Sequence, residues 1–271
     1  MHIPTLTMGL IAGSTRSGGS LRDSLVEWWD FENNSADTAF LGSKNSYPLN
    51  LLNSQTTATQ STASGRRGRA ANWSNAGSND AGQVPRSNTA FDFGDQGFSV
   101  GLWLQFNEMP SDDLGRTIVG RYGDVGGVNS NYVLSLRALA GAQQFVLGVR
   151  NAANTAYSSA LLHTTGQPLT SGAWYFVVFA HDPTADQLIL YVNNVKQTQA
   201  WSQGVYSGGS ANFALYNMRY NDISYYSTSR TVGMKTDCLF AMNRLITDGE
   251  VNYLYAAGAG KNYADLIADG M

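Results

Sequence analysis

The sequence predicts an all-β protein built as a two-sheet antiparallel β-sandwich, and two observations support this fold class. Short apolar runs, rich in β-branched and aromatic residues, alternate with polar loops along most of the chain. Charged residues make up only 14% of the 271 positions, against roughly 25% in an ordinary soluble domain. The length permits one large core, and a single short helix is predicted near the C-terminus.

The same composition narrows the classes of partner. The formal net charge of -3 gives no reason to expect nucleic acid, which normally meets a concentrated basic surface. No apolar stretch approaches the ~20 residues that cross a bilayer, so no membrane insertion is expected. Cys238 stands alone, so no intrachain disulfide forms and the fold depends on its core.

Residues 1–24 are predicted to be an extended N-terminal arm ahead of one domain that spans residues 25–271. The arm is rich in Gly, Ser and Thr, and no Lys or Arg precedes its mildly apolar centre, Met8 to Ala12. A secretory signal has a basic start and a longer apolar run, so an arm that docks on neighbouring subunits is favoured.

Alternating and continuous apolar runs predict the strands. Leu25 to Phe31 opens the domain, and Phe98 to Phe106 alternates with a period of two, which indicates one inner face. Tyr132–Leu136 and Phe145–Val149 repeat that alternation on either side of a short turn. These two segments are predicted to form a hairpin.

Gly172–Gln199 is predicted to contain three successive strands. Trp174–Ala180 and Leu188–Val192 are continuous apolar runs, which is typical of strands that are buried on both faces. An acidic turn separates them. Asn193-Asn194 then suits a turn with positive φ before a polar third strand.

Thr247-Asp248-Gly249-Glu250 has the form of a capping box and predicts the start of the short helix. Apolar residues follow at helical spacing, and Gly258 is predicted to end it. The polar, glycine-rich segments 53–69 and 72–88 are predicted to be loops.

Five segments, in this order along the chain, resemble the laminin-G-like, concanavalin A-like jelly-roll family: LVEWWDFEN (25–33), SGRRGRAANW (64–73), FSVGLWLQF (98–106), GAWYFVVFAHDPTADQLILYVNN (172–194) and NRLITDGEVNYLYAAG (243–258). The second has that family's Gly-x-x-Gly-x-Ala form, and the last matches its terminal helix. Asn193-Asn194 stands where the family usually has Asp-Gly. The resemblance implies a jelly roll of the kind found in structural proteins of tailed-bacteriophage virions.

The resemblance also implies a structural calcium site. Asp30 and Glu32 at the opening strand, with Asp237, offer the oxygen ligands that calcium prefers. Where the family usually has Gly-x-Ile-Asp-Glu-Val, however, this chain keeps Asp237 as its one carboxylate. The alternative, which we favour, is that Asp30 and Glu32 cap backbone amides at the end of the strand.

Related folds include glycoside hydrolases, whose acids share one face of a strand near the scissile bond. Glu27 has the wrong spacing to share a face with Asp30 and Glu32, because side chains alternate along a strand. The histidines His2, His163 and His181 have no zinc-ligand spacing. The chain is therefore predicted not to be an enzyme, with a hydrolase as the least favoured hypothesis.

Three surface features are candidates for binding, the smallest of which is Trp201 and Tyr206 on either side of Gly204, where core packing is the favoured alternative. The basic cluster Arg66, Arg67 and Arg69 suits a phosphate or an acidic neighbour, with a solvated loop as the simpler alternative. Residues 216–230 are rich in tyrosine and arginine, the residue types that dominate interfaces and stack on sugars. Packing at the sandwich edge is the alternative for this second group: Tyr216, Arg219, Tyr220, Tyr225, Tyr226 and Arg230.

These features predict a non-enzymatic structural protein of a tailed-bacteriophage virion, either capsid decoration or a tail or fibre component. It is expected to dock on other virion proteins through residues 1–24 and its long loops, and to form a homo-oligomer. A host surface glycan is the expected ligand of the exposed loops. A secreted bacterial carbohydrate-binding module or lectin is the alternative.

Overall fold

The computed structural model is mostly β and forms a sandwich of two antiparallel sheets, which confirms the predicted fold class. It describes residues 19–32, 39–52, 65–73, 81–111, 115–122, 131–139, 142–161, 168–208, 211–215, 219–220, 223–224 and 232–271. Most of the predicted arm, residues 1–18, lies outside this part. Among the described residues, no helix is both long and apolar enough to cross a membrane.

The strands in chain order are β1 (Leu25–Trp29), β2 (Ala39–Phe40), β3 (Leu49–Leu52), β4 (Ala71–Trp73), β5 (Ala81–Val84), β6 (Phe98–Phe106), β7 (Arg116–Arg121), β8 (Tyr132–Leu139), β9 (Ala142–Arg150), β10 (Tyr157–Leu161), β11 (Trp174–Asp182), β12 (Gln187–Val192), β13 (Val195–Ala200), β14 (Phe213–Leu215), β15 (Arg219–Tyr220), β16 (Ile223–Ser224) and β17 (Met234–Met242). The α-helices are α1 (Asp248–Tyr255) and α2 (Tyr263–Ala268).

The first sheet has the strand order β1-β17-β6-β11-β12-β13, with β4 also paired to β17. We call it the helix-covered sheet, because the segment that carries α1 and α2 packs on its outer face. The opposite sheet has the order β10-β9-β8-β7-β14-β5-β3-β2. Among the described strands, β15 and β16 pair with each other as a short ribbon between β14 and β17 in the chain.

Two apolar cores lie on the two faces of the helix-covered sheet. The inner core fills the space between the sheets and includes Phe98, Phe179 and Leu190. The outer core holds Phe176 and Leu254, among others, under the C-terminal segment. Strands β11 and β12 are therefore buried on both faces, as their continuous apolar runs predicted.

Three other local predictions are confirmed. Asn193 and Asn194 have φ values of 48° and 68° and join β12 to β13 as a two-residue turn. The β8–β9 pair is the predicted hairpin. Helix α1 begins with the predicted capping box between Thr247 and Glu250, although it ends at Tyr255, before the predicted glycine.

Three elements differ from the sequence-based expectation. Part of the predicted 72–88 loop forms β4 and β5, even though Ala81-Gly82-Gln83-Val84 has weak strand propensity. A Cβ on Gly82 would lie 3.2 Å from the Trp73 ring, so glycine permits this close packing. Helix α2 was also missed, although Asn262 and Asp265 form a capping box at its start.

Residues 19–24, the end of the predicted arm, pack on the sandwich. Leu21 is fully buried in the outer core. The Arg22 N–H donates to the Met271 carbonyl at 3.4 Å, and Arg244 Nε donates to Ser24 Oγ at 2.7 Å. This part of the chain is therefore continuous with the domain.

Candidate functional site

The structure places the sequence-predicted site residues in two groups. The acids Asp30, Glu32 and Asp237 lie around a loop, residues 65–69, that carries the basic cluster. We call it the Gly65 loop. Arg219 and Tyr220 form β15 of the ribbon. The other residues of the tyrosine-rich segment lie outside the described part of the chain: Tyr216, Tyr225, Tyr226 and Arg230.

Two glycines allow the Gly65 loop to sit directly on the acids. The Gly65 N–H donates to the Gly68 carbonyl at 2.8 Å, which closes the loop. A Cβ on Gly65 would lie 2.6 Å from Asp237 Oδ2, and one on Gly68 would lie 2.1 Å from Glu32 Oε1. Gly68 also has a φ of 76°, which glycine adopts without strain. These contacts explain the Gly-x-x-Gly spacing.

Each acid near this loop accepts hydrogen bonds from nearby donors. Asp237 Oδ2 accepts the Arg67 N–H at 2.8 Å, and Glu32 Oε1 accepts the Arg69 N–H at 3.0 Å. Asp30 Oδ1 accepts the Trp28 indole N–H at 2.5 Å and the Tyr263 N–H at 3.2 Å. This pattern matches the capping alternative for Asp30 and Glu32.

The same hydrogen bonds make a poor fit to calcium. A calcium ion needs six to eight oxygen atoms directed at it, whereas these carboxylates are directed at N–H groups. Within the described residues, no three side chains of His, Cys, Asp or Glu are grouped so as to hold a metal ion. Asp237 and Glu32 act here as anchors for the Gly65 loop.

Burial controls the charge of Asp237. This residue is 0% exposed, and burial raises the pKa of its carboxyl to about 7 despite the Arg67 N–H that favours the charged form. Burial also raises the pKa of Asp30, although its hydrogen bonds with Trp28 and Tyr263 oppose the shift. Near neutral pH, Asp237 is therefore protonated in a substantial fraction of molecules.

The basic cluster joins the Gly65 loop to the C-terminal segment. Arg66 lies over the Trp103 ring, with its guanidinium carbon 5.0 Å from the ring centroid. Arg67 Nη2 contacts both carboxylate oxygens of Asp265, at 2.9 and 2.7 Å. Arg69 donates its backbone N–H to Glu32, as described above. The side chains of Arg66 and Arg67 therefore tie the Gly65 loop to the rest of the chain.

The third acid of the hydrolase hypothesis, Glu27, is sealed inside the protein. It is 0% exposed, and its oxygens accept backbone N–H groups from Trp28 at 2.9 Å, Lys44 at 2.7 Å and Tyr47 at 2.8 Å. Asp30 lies elsewhere, against Trp28 and the start of α2. These two acids do not form the pair across an open cleft that glycoside hydrolysis requires.

A second polar site lies at one end of the sandwich and was not predicted. Asp92 Oδ1 accepts the Asn131 amide at 2.8 Å, and Asp92 Oδ2 accepts the Gly208 N–H at 2.6 Å. Asp95 Oδ1 accepts the Val205 N–H at 3.3 Å. We call this site the Asp92 cluster. The sequence contained a signal for this site in the segment Phe91–Gln96, where Asp92 and Asp95 stand among aromatic residues and Gly94.

The Asp92 cluster fixes the loop formed by residues 201–208. Trp201 is only 6% exposed and donates its indole N–H to the Gly204 carbonyl at 2.7 Å, so its role is core packing. The Tyr206 N–H donates to the Arg150 carbonyl at 2.9 Å, and the Tyr206 ring is half-buried. Ser202, Gln203 and Ser207 are exposed along this loop. The loop held by the cluster therefore presents exposed polar side chains.

The sandwich and its loops define a protein of the jelly-roll class. A family model described as the concanavalin A-like lectin/glucanases superfamily matches residues 76–227, more than half of the chain. The chain belongs to this superfamily. No curated protein sequence matches it significantly.

Solved structures show the same fold at low sequence identity. The binding domain of Paraclostridial Mosquitocidal Protein 1 is 14% identical, with a TM-score of 0.63 over 87% of this chain and 52% of that one. Domain 4 of AbnA, a GH43 extracellular arabinanase from Geobacillus stearothermophilus in complex with arabinotriose, is 16% identical (TM-score 0.56, covering 88% and 98%). The botulinum neurotoxin serotype D ligand-binding domain in complex with N-acetylneuraminic acid is 11% identical (TM-score 0.58, covering 87% and 51%). The chain thus spans about half the length of the two toxin domains.

The raised pKa of Asp237 predicts a pH-dependent stability. The folded protein keeps a proton at pH values between the ordinary 3.8 and about 7, where the unfolded chain releases it. The free energy of unfolding should therefore fall as pH rises through this window, by an amount on the order of 2–4 kcal/mol, and level off above it. Asp237→Asn should remove most of that slope in urea unfolding at several pH values.

Asp23→Asn, at an exposed carboxyl, is the matched control and should keep the wild-type slope. An Asp237→Asn protein with the same slope as the wild type would contradict the assignment. Some residual slope is expected from Asp30, whose pKa is also raised.

The hydrogen-bond arrangement predicts that calcium does not stabilise the fold. Melting temperatures measured with excess EDTA and with millimolar calcium should agree to within about 1 °C, because a ligand that does not bind the native state shifts no equilibrium. A calcium-dependent rise in Tm that disappears in Asp237→Asn would instead establish the metal site implied by the resemblance.

Proposed function

We propose that this chain is a non-enzymatic recognition domain whose ligand is a carbohydrate. The observation that carries the proposal is that the acids in β1 and just after it are all engaged in holding the fold together. Glu27 is buried under backbone N–H groups, and Asp30 and Glu32 anchor neighbouring segments. A concanavalin A-like sandwich that uses its acids in this way offers loops for binding rather than a cleft for hydrolysis.

The comparisons support a carbohydrate as the class of ligand. Domain 4 of AbnA is in complex with arabinotriose, and the botulinum serotype D domain is in complex with N-acetylneuraminic acid. These ligands differ, and both proteins share only the fold with this chain. The proposal therefore extends to the class of ligand and not to a particular sugar.

We assign the binding surface to the tyrosine-rich segment, residues 216–230. Tyrosine rings stack on sugar faces, and arginine supplies fixed donors to hydroxyl or carboxylate groups. The ribbon of β15 and β16 lies in this segment, directly after β14 in the centre of the opposite sheet. The family match extends through most of it, to residue 227.

The proposed setting is the virion of a tailed bacteriophage. Residues 1–18 precede the packed domain and would dock on other virion proteins within a homo-oligomer. A glycan-recognition surface favours a tail or fibre component, which meets the host, over capsid decoration. A secreted bacterial carbohydrate-binding module would use the same surface without the arm.

The ligand proposal predicts glycan binding that depends on the tyrosine-rich segment. On a glycan array, the wild type should bind a defined set of sugars, and Tyr225→Ala and Tyr226→Ala should each weaken that binding about tenfold, as expected for one lost stacking contact. Tyr206→Ala, in the 201–208 loop that the Asp92 cluster fixes, is the matched control and should bind normally.

Loss of binding in Tyr206→Ala alone would move the site to the Asp92 cluster at the other end of β14. A wild-type protein that binds no glycan on the array would refute the ligand proposal altogether.

The virion proposal predicts that the arm serves assembly rather than folding. Deleting residues 1–18 should leave Tm within about 1 °C, because every deleted residue precedes the packed segment that begins near Leu21. The same deletion should abolish incorporation into particles. Normal incorporation of the truncated protein would contradict this role. A deletion that also removes Leu21 is a poor test, because it opens the outer core.

A further inference from the structure

The two edges of the helix-covered sheet differ in how far other parts of the chain cover them. At the β1 edge, the Trp28 carbonyl accepts the Ser43 N–H at 2.7 Å and the Val26 carbonyl accepts the Asn45 amide at 2.6 Å. Glu27 closes the same edge by accepting the Lys44 N–H. This edge is therefore covered by the 43–47 loop and is unable to pair with another strand.

Among the described strands, none pairs with the outer edge of β13. Val195, Lys196, Thr198 and Ala200 are exposed, and Gln197 and Gln199 are partly exposed. The two-residue turn makes Val192 and Val195 the closing hydrogen-bonded pair with β12, so residues 195, 197 and 199 direct their backbone groups inward. The N–H and C=O groups of residues 196, 198 and 200 consequently point outward.

This edge lacks the usual protection against pairing. Natural edge strands carry a proline, a bulge, a short length or a free charge. Strand β13 has six residues, contains no proline and pairs with β12 without a register shift. Its one charge, Lys196, is drawn back onto its own chain, with Nζ 2.9 Å from Asp248 Oδ1 and 5.6 Å from the Tyr191 ring centroid.

We propose that β13 pairs with β13 of a second copy of this chain, antiparallel and centred on Thr198, so that the two helix-covered sheets become one. In this register Thr198 faces the partner's Thr198, and Lys196 faces the partner's Ala200. All three outward residues then pair, which gives about six backbone hydrogen bonds.

The pairing is self-complementary in charge and side-chain chemistry. Lys196 opposes alanine, so no like charges meet across the two-fold axis. Gln197 lies opposite the partner's Gln199 on the other face, where amide side chains can bond to each other. A register centred on Lys196 would instead place two ammonium groups together. Both the charge pattern and the number of backbone hydrogen bonds therefore favour the register centred on Thr198.

An interface of this kind is small and forms a weak dimer, because a single strand pair buries little apolar surface. The inference does not depend on the identity of the ligand. If the chain binds glycans as proposed above, the dimer joins two such sites and raises the apparent affinity on a surface.

Sedimentation of the full chain over about 1 μM to 1 mM, the range of weak interfaces, tests the dimer. The wild type should dimerise with rising concentration. Thr198→Lys and Thr198→Glu should each remain monomeric, because each places like charges in direct opposition at the two-fold axis. An equimolar mixture of the two variants should dimerise again.

Thr184→Lys, at an exposed position in the β11–β12 turn, is the matched control and should dimerise like the wild type. Circular dichroism and Tm of each variant establish that it is folded, and rescue in the mixture does so independently. A monomeric wild type at the highest concentration would overturn the inference. So would a Thr198→Lys protein that dimerises normally, or a Thr184→Lys protein that does not. Glycan-array binding by the monomeric variants separates this inference from the ligand proposal.

Discussion

The structure depends on the burial of one sheet on both faces. The outer face of the helix-covered sheet carries large apolar side chains such as Trp28, Phe176 and Phe240, which pack beneath the C-terminal segment and Leu21. Exposing such a face would lose the main driving force of folding. The fold must therefore hold the C-terminal segment, which carries α1 and α2, in a fixed position.

The Gly65 loop supplies that fixation. It bridges the end of β1, the strand β17 and helix α2 through short contacts of its backbone and arginines. The arrangement requires a carboxyl, Asp237, inside the protein, where burial raises its pKa and makes the charged form unfavourable. The burial of Asp237 lowers the stability of the fold. The compensating stabilisation must come from the apolar contacts that the loop secures around Trp103 and Leu266.

The parts of the fold that the sequence predicts are those with strong local signals. Continuous apolar runs indicate β11 and β12, a pair of asparagines indicates their turn to β13, and a capping box indicates α1. Strand β5 was missed because its place comes from pairing with β3 and β14 and from the close packing of Gly82 on Trp73, which no local sequence pattern reveals. The Gly65 loop shows the same limit: its spacing was visible, whereas its contacts with acids about 35 and 170 positions away were not.

The candidate site shows the same contrast between local sequence signals and tertiary contacts. Whether Asp30 and Glu32 cap amides or bind calcium depends on which groups face them, and that is a tertiary property. A recognition role on this fold also raises a question of affinity, because a few stacking contacts on a loop bind a sugar weakly. Multivalent display compensates for weak single sites, since the second contact is made at high effective concentration. An open β13 edge is a hazard for a protein that acts alone, but it is a means of assembly for one that must present several weak sites at once.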